Sequence, residues 1–378
     1  MLKKFTVSNY RVFENTMTLD FSNTRDYKFN CDCIKNNIVH KAVIYGKNAV
    51  GKTNLGEALL DISMMIPGPG ADLAKQQARS KSAGYLNAKS SEKTAKFEYI
   101  FDFDKNILEY TYGKDDIDKI SFESIKINDK LLYYYDYAYN IGDFSRFGEN
   151  PLLFDNWNKE NSFLSNLLSF DLPDELKIIK DLEKFIVGMF NMQALFMGNG
   201  STGKIRDFTL KYIIEANLVE DFTTFLSESG VQIKLKSAKS PTGKNILYFD
   251  YGDSLLPFKN YASSGTLSLL TLYAVLVIMK PSFLYIDEFD ANFHFDVAKL
   301  ILGKFNKESD CQLVITTHNT DLMSNKFMRP DCYFIMYPDQ LQSLADSTKR
   351  ELREGHNLEK LYQGGEFDLP EKKGDPNG

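Results

Sequence analysis

Residues 42–55 read AVIYGKNAVGKTNL, and this stretch decides the fold. The short apolar run AVIY has the character of a buried strand. It runs straight into Gly46, Lys47, Asn48, Ala49, Val50, Gly51, Lys52 and Thr53, the spacing G-x-x-x-x-G-K-T of a phosphate cradle, with Asn54 next. Gly46 and Gly51 let the backbone curl so that successive N–H groups face phosphate oxygens. The helix that follows adds positive potential at its N-terminus. Lys52 is placed to reach β- and γ-phosphates and the Thr53 hydroxyl to bind Mg²⁺. The helix is expected because Leu55, Ala58, Leu59, Ile62 and Met65 share one face, and PGPG at residues 67–70 ends it.

A second stretch, GNGSTGKI at residues 198–205, has the same spacing up to its lysine. Lys204 is followed by Ile205, so the hydroxyl needed for Mg²⁺ is missing, and no second acidic strand is left to serve it. It reads as a flexible connection between helices.

Three downstream elements complete the chemistry of the first loop. FLYIDEFD is an apolar strand ending in Asp287 and Glu288: one carboxylate to hold Mg²⁺, its neighbour to polarise an attacking water as general base. Acidic pairs after strands are also common helix caps, so this pair gains its meaning from the phosphate loop. QLVITTHNTDL ends another apolar strand at His318, whose neutral imidazole could hydrogen-bond a γ-phosphate or the attacking water. YASSGTLSLL places Ser263, Ser264 and Gly265 at a helix start, an ordinary cap by itself and otherwise an anion site.

Around these motifs the pattern alternates between β and helical character. KFTVSNY and MTLDFS alternate like strands. FEYIFDF, ILEYTYG, SIKIND and KLLYYYD read as an antiparallel meander added to the main sheet, punctuated by DK, GKDD and NDK turns. Residues from about 150 to 235 carry apolar residues at helical spacing. VQIKLKS and NILYFDY return to β, and residues 267–279 form the longest apolar run, too short to span a bilayer comfortably and better read as a buried helix.

The 378-residue chain is 43% hydrophobic, ample for a packed core, and its formal charge of −6 argues against a protein that coats nucleic acid through bulk charge. Cys31, Cys33, Cys311 and Cys332 lack the second pair or nearby His of a zinc set and read as thiols in a reducing cytosol. The polar, alternating N-terminus has no signal-peptide core. A cytoplasmic protein with no membrane partner is expected.

The order phosphate loop, Ser-Gly helix start, Asp-Glu strand and strand-end His resembles the ATP-binding-cassette ATPase head. SNYRVFEN, the Asn in GKNAVGKTNL, SSGT and DEFDANFH are similar to the RecF/SMC-like branch. The chain looks closest to the stand-alone AAA/ABC-type ATPases of phage-defence and abortive-infection operons, similar to the ATPase half of the OLD nucleases, over roughly 1–135 and 245–365. The resemblance implies an α/β P-loop NTPase with a mixed central sheet, an added antiparallel meander and an inserted helical subdomain. It divides the chain into 1–145 and 236–365 as the two parts of the head, 146–235 as the helical insert and 366–378 as a flexible tail.

It further implies ATP and Mg²⁺ on residues 46–54, Asp287 as metal residue, Glu288 as base and His318 as the γ-phosphate switch. Ser263, Ser264 and Gly265 would close over the nucleotide of a second protomer. Asp290 and Asn292 fall where the family's interface loop runs, with His294 after them; Phe295 stands where the group often has Pro. Arg11 either approaches the nucleotide or sits as a solvated hairpin arginine, and Gln76 and Gln77 are candidates for a Mg²⁺-sensing glutamine. ATP-driven head dimerisation, or a higher oligomer, would control a partner effector such as a nuclease or toxin in antiphage defence. A DNA-clamping ATPase of repair or chromosome maintenance is the alternative, so nucleic acid stays open as a partner. A metabolic kinase conflicts with the SSGT and TTH elements.

Overall fold

The computed structural model describes residues 1–66, 84–104, 106–147, 157–192, 201–289, 299, 302 and 311–369, with backbone alone for 201–205. The PGPG stop, Gln76, Gln77, Gly198, Asp290, Asn292, His294, Phe295 and residues 370–378 of the expected tail lie outside the described residues.

The chain opens with strands β1 (Leu2–Ser8) and β2 (Met17–Asp20), then a short ribbon, β3 (Ile34–Lys35) and β4 (Ile38–Val39). β5 (Lys41–Gly46) leads through the phosphate loop into helix α1 (Lys52–Asp61). β6 (Ala95–Phe103), β7 (Asn106–Asp116), β8 (Lys119–Ile127), β9 (Lys130–Asp136) and β10 (Ile141–Asp143) form the meander. It pairs with β1 and β2 in a sheet of its own, ordered β10-β9-β8-β7-β6-β1-β2, rather than with the parallel strands. The reason is in the alternation: β6 buries Phe97, Tyr99 and Phe101 on one face and leaves the other partly open, so one covered face suffices.

Helices α2 (Phe163–Leu168) and α3 (Lys177–Val187) follow, then β11 (Met189–Asn191), α4 (Ser201–Glu215) and α5 (Val219–Glu228). α3 buries Ile179, Leu182, Phe185 and Ile186 at three- and four-residue steps, as an amphipathic helix must. Ser201 to Ile205, expected in a loop, are the first turns of α4. β12 (Leu235–Lys239), β13 (Asn245–Asp250) and β14 (Leu255–Pro257) make a small antiparallel sheet, followed by α6 (Phe258–Tyr261) and α7 (Ser264–Tyr273). α7 continues as a π-helix over Ala274–Met279, so the apolar run is helical as expected, but its burial stops at Val275: Leu276 to Ile278 are partly buried and Met279 is exposed.

β15 (Phe283–Ile286), β16 (Gln312–Thr316), β17 (Tyr333–Met336) and β18 (Leu341–Ser343) then complete a sheet ordered β11-β15-β16-β5-β17-β18, parallel except at β18. β5, β15, β16 and β17 are buried throughout, which is why each reads as an unbroken apolar run. A last helix, α8 (Leu358–Gln363), packs near Tyr45 through Tyr362.

α1 is seated between the two sheets. On one side Tyr99 of β6 donates its hydroxyl to the Ala58 carbonyl at 2.8 Å. On the other, Tyr285 of β15 donates to the Lys52 carbonyl at 2.5 Å. A Cβ on Gly56 would lie 2.4 Å from Tyr285 Cε1, so only glycine lets that ring in. At the far end of α1, buried Asp61 accepts from Lys114 Nζ at 3.1 and 3.2 Å, Tyr85 Oη at 2.9 Å and Tyr112 Oη at 2.9 Å. Lys114 belongs to GKDD, expected as a turn; instead these residues end β7, with its register shifting at Gly113 and Lys114. A lysine with a buried carboxylate to meet stays in the sheet where local propensity favours a turn.

Candidate functional site

In a parallel sheet all strand C-termini open on one edge, and ligands bind there. β16 lies between β5 and β15, with Ile286 beside Ile315 and Thr316 beside Ile44. The phosphate loop, Asp287-Glu288 and Thr317-His318 therefore share that edge.

The loop's geometry follows from its glycine and its lysine. Gly51 caps α1 at φ 107°, ψ 16°, a left-handed conformation that costs glycine little. Ala49 is also left-handed, at φ 64°. Lys52 is buried and donates from Nζ to the carbonyls of Gly46 (2.9 Å) and Lys47 (3.1 Å), which holds its ammonium inside the curl. Lys47, Asn48 and Ala49 are exposed on the rim, and Val50 and Asn54 are partly buried.

The β1–β2 turn packs directly on this loop: a Cβ at Gly51 would meet Val12 Cγ2 at 2.8 Å and Phe13 Cε1 at 2.9 Å. Arg11, in that turn, is partly buried rather than free in solvent. Its Nε lies 3.2 Å from Glu57 Oε2 on α1 and donates to Tyr10 Oη at 3.0 Å.

Thr53 Oγ1 donates to Asp287 Oδ2 at 2.5 Å, and Thr316 Oγ1 donates to Asp287 Oδ1 at 2.6 Å. Thr316 Oγ1 also accepts from the Glu288 backbone N–H at 2.9 Å. Asp287 is 2% exposed, whereas the Glu288 side chain is exposed on a backbone at φ 47°. His318 is exposed at the end of β16, in a turn where Thr317 Oγ1 accepts from Asn319 N at 3.0 Å. The structure thus brings Lys52, Thr53, Asp287, Glu288 and His318 to one edge. Ser263, Ser264 and Gly265 are exposed at the start of α7; Ser263 caps it through Thr266 N at 3.2 Å, and α7 packs on α4 and α5.

One hydroxyl and one carboxylate in contact are hard oxygen donors of the kind Mg²⁺ takes alongside substrate phosphates. Among the described residues no group of three His, Cys, Asp or Glu is placed to hold a metal.

The family profile "AAA domain, putative AbiEii toxin, Type IV TA system" matches residues 41–324. The chain belongs to this family. The match runs from β5 to just past the His318 turn, so it contains Lys52, Thr53, Asp287, Glu288 and His318, and it supports the P-loop ATPase assignment in the RecF/SMC-like branch. No curated protein matches significantly.

Solved structures that are similar include the SMC head domain from Thermotoga maritima, with 13% identity over 90% of this chain and 97% of that one and a TM-score of 0.45. An SMC head bound to the C-winged helix domain of ScpA has 14% identity, 90% and 97% coverage and a TM-score of 0.47. A head with an extended coiled coil, bound to the C-terminal domain of ScpA derived from Pyrococcus furiosus, has 14% identity, 90% and 95% coverage and a TM-score of 0.44. Among the described residues no helix is long and apolar enough to cross a membrane.

Two site features escaped the sequence reading. Thr316 reads in the sequence as one residue of the strand Gln312–Thr317, with only the Thr-Thr doublet before His318 as its visible sign. The Gly56–Tyr285 contact was signalled only by a glycine inside a helix.

Proposed function

We propose that the chain binds ATP with Mg²⁺ and hydrolyses it to ADP and phosphate. The carrying observation is the contact of Thr53 with Asp287 at 2.5 Å, Thr53 following Lys52, whose ammonium is held inside the curl of the loop. In this reading residues 46–54 wrap the phosphates, Lys52 meets the β- and γ-phosphates, and Thr53 and Asp287 hold Mg²⁺. The bound ion neutralises phosphate charge. Glu288, exposed at the edge, takes the proton of the attacking water, and His318 senses the γ-phosphate from the neighbouring strand.

Ser263, Ser264 and Gly265 lie on a separate exposed helix start, which supports their serving the nucleotide of a second copy. Two copies would close around ATP and separate after hydrolysis, and that change of shape would control a protein effector, a nuclease or toxin, in bacterial antiphage defence. The toxin and antitoxin terms in the family's description support the defence setting.

The test is Glu288→Gln in the full chain. Turnover should fall by about 10²–10⁴-fold, the usual worth of a positioned base, while ATP drives the variant into a persistent dimer seen by light scattering. Native turnover in this variant overturns the base assignment. Strong stimulation of the native protein by duplex DNA would instead favour a DNA-clamping ATPase.

A further inference from the structure

We propose that Thr316 is the positioning residue of the acidic turn, setting both the Asp287 carboxylate and the Glu288 backbone from the neighbouring strand. This rests on the nucleotide reading above and extends it to a residue outside the phosphate loop and the acidic motif.

A threonine hydroxyl has one proton to donate and lone pairs to accept with. At Thr316 both capacities are used on consecutive residues of another strand: Oγ1 donates to Asp287 Oδ1 at 2.6 Å and accepts from Glu288 N at 2.9 Å. The side chain is fully buried, so water does not readily replace either bond. The two bonds act on the two groups the chemistry needs fixed. The first leaves Asp287 Oδ2 turned to Thr53, where that oxygen accepts at 2.5 Å. The second anchors the amide of a glutamate held at φ 47°, a left-handed conformation that glutamate rarely adopts unless its surroundings impose it.

Thr317, the other half of the doublet, acts locally. Its hydroxyl accepts from Asn319 N and shapes the turn carrying His318. Thr316 and His318 are two residues apart on the β16 strand end. A shift of that strand end on sensing phosphate would therefore reach Glu288 through one hydroxyl.

Outer partners that orient a metal-holding carboxylate typically control affinity or rate by about 10–100-fold. Thr316→Val keeps the side-chain shape and removes both bonds; Thr316→Ser keeps both. For the full chain we would measure ATP turnover against ATP and Mg²⁺, binding of a fluorescent ATP analogue with and without Mg²⁺, and thermal melting. Thr316→Val should melt as a folded protein and bind the analogue near-normally without Mg²⁺. It should lose about 10–100-fold in kcat and need several-fold more Mg²⁺ for analogue binding, with Thr316→Ser restoring both.

Native kcat and native Mg²⁺ requirement in Thr316→Val overturn the proposal. So does an equal loss of binding with and without Mg²⁺ that Ser does not rescue. If even the native chain fails to turn over ATP, the hydrolysis reading falls. The Mg²⁺ dependence of analogue binding still decides whether Thr316 sets Asp287.

Discussion

Asp287 and Asp61 are both buried aspartates touched by hydroxyl groups, and they are provisioned in opposite ways. Asp61, where α1 meets the antiparallel sheet, faces the Lys114 ammonium at 3.1 and 3.2 Å and two tyrosine hydroxyls. Asp287, at the edge of the parallel sheet, is held by the neutral hydroxyls of Thr53 and Thr316. A carboxylate with its own cation is a structural tie. One oriented by neutral donors keeps its charge for a cation that arrives with the substrate.

The largest expected effects break that comparison directly. Lys114→Met leaves Asp61 charged and buried without its ammonium. Losing one partner of such a pair costs about 3–5 kcal/mol, roughly 4–6 °C in melting temperature for a chain of this size. Asp61→Leu with Lys114→Met should recover much of the loss. The shortfall is about 1 kcal/mol for each of the Tyr85 and Tyr112 hydroxyls left without its acceptor. Asp287→Asn should do the reverse: melting stays near native, because an amide can still pair with two threonines, while Mg²⁺-dependent nucleotide binding collapses. Differential scanning calorimetry and analogue titrations check both. If Asp287→Asn melts lower than Lys114→Met, the contrast between tie and site is wrong.

The same contrast explains what could be read in advance. The placement of GKNAVGKT, FLYIDE and QLVITTH on one sheet edge was legible because the signal is local: an apolar run buried on both faces, followed at once by the polar residues of the edge. Asp61 and Lys114 were not, since GKDD carries turn-like composition and only a partner more than fifty residues away makes Lys114 a strand residue. β11 was missed for a similar reason. Met189–Asn191 is three residues long, with no periodicity to display, and it is a strand because β15 pairs with it in register. For Arg11 the solvated-hairpin reading gives way to an ion pair with Glu57 on the neighbouring helix, a partner the local sequence does not show.

A third buried carboxylate sharpens the comparison by pH. Glu123 accepts from Tyr110 at 3.0 Å and Tyr133 at 2.9 Å, and also from Tyr137 and the Phe163 amide. Complete burial pushes its pKa above the ordinary glutamate value, outweighing those hydrogen bonds. A raised folded pKa means the native state holds this proton more tightly than the unfolded chain. Its contribution is therefore most favourable below the unfolded pKa and falls as pH rises toward the folded one. Glu123→Gln removes that dependence. Its melting temperature relative to native should become more favourable on going from pH 5 to pH 8. A difference that stays flat, or moves the other way, would mean the hydrogen bonds from the tyrosines and the Phe163 amide outweigh burial at Glu123.

The smallest effect belongs to the seat of α1. Tyr285→Phe deletes the hydroxyl that reaches the Lys52 carbonyl at 2.5 Å. That carbonyl opens α1 and can also accept from the helix's own next turn, so the loss should stay near the low end of about 0.5–1.5 kcal/mol. Gly56→Ala should cost more, because the added Cβ would lie 2.4 Å from Tyr285 Cε1 and that ring is fully buried. Phenylalanine keeps the same ring carbon. The double variant should therefore show the two losses roughly added rather than relieved, in contrast to the Asp61 and Lys114 pair, where the second change compensates the first. The hydroxyl of Tyr285 meets the chain after the loop at a backbone carbonyl, so analogue affinity in Tyr285→Phe should fall no further than stability does. A larger fall in affinity would make Tyr285 part of the site's own machinery and not a support beneath it.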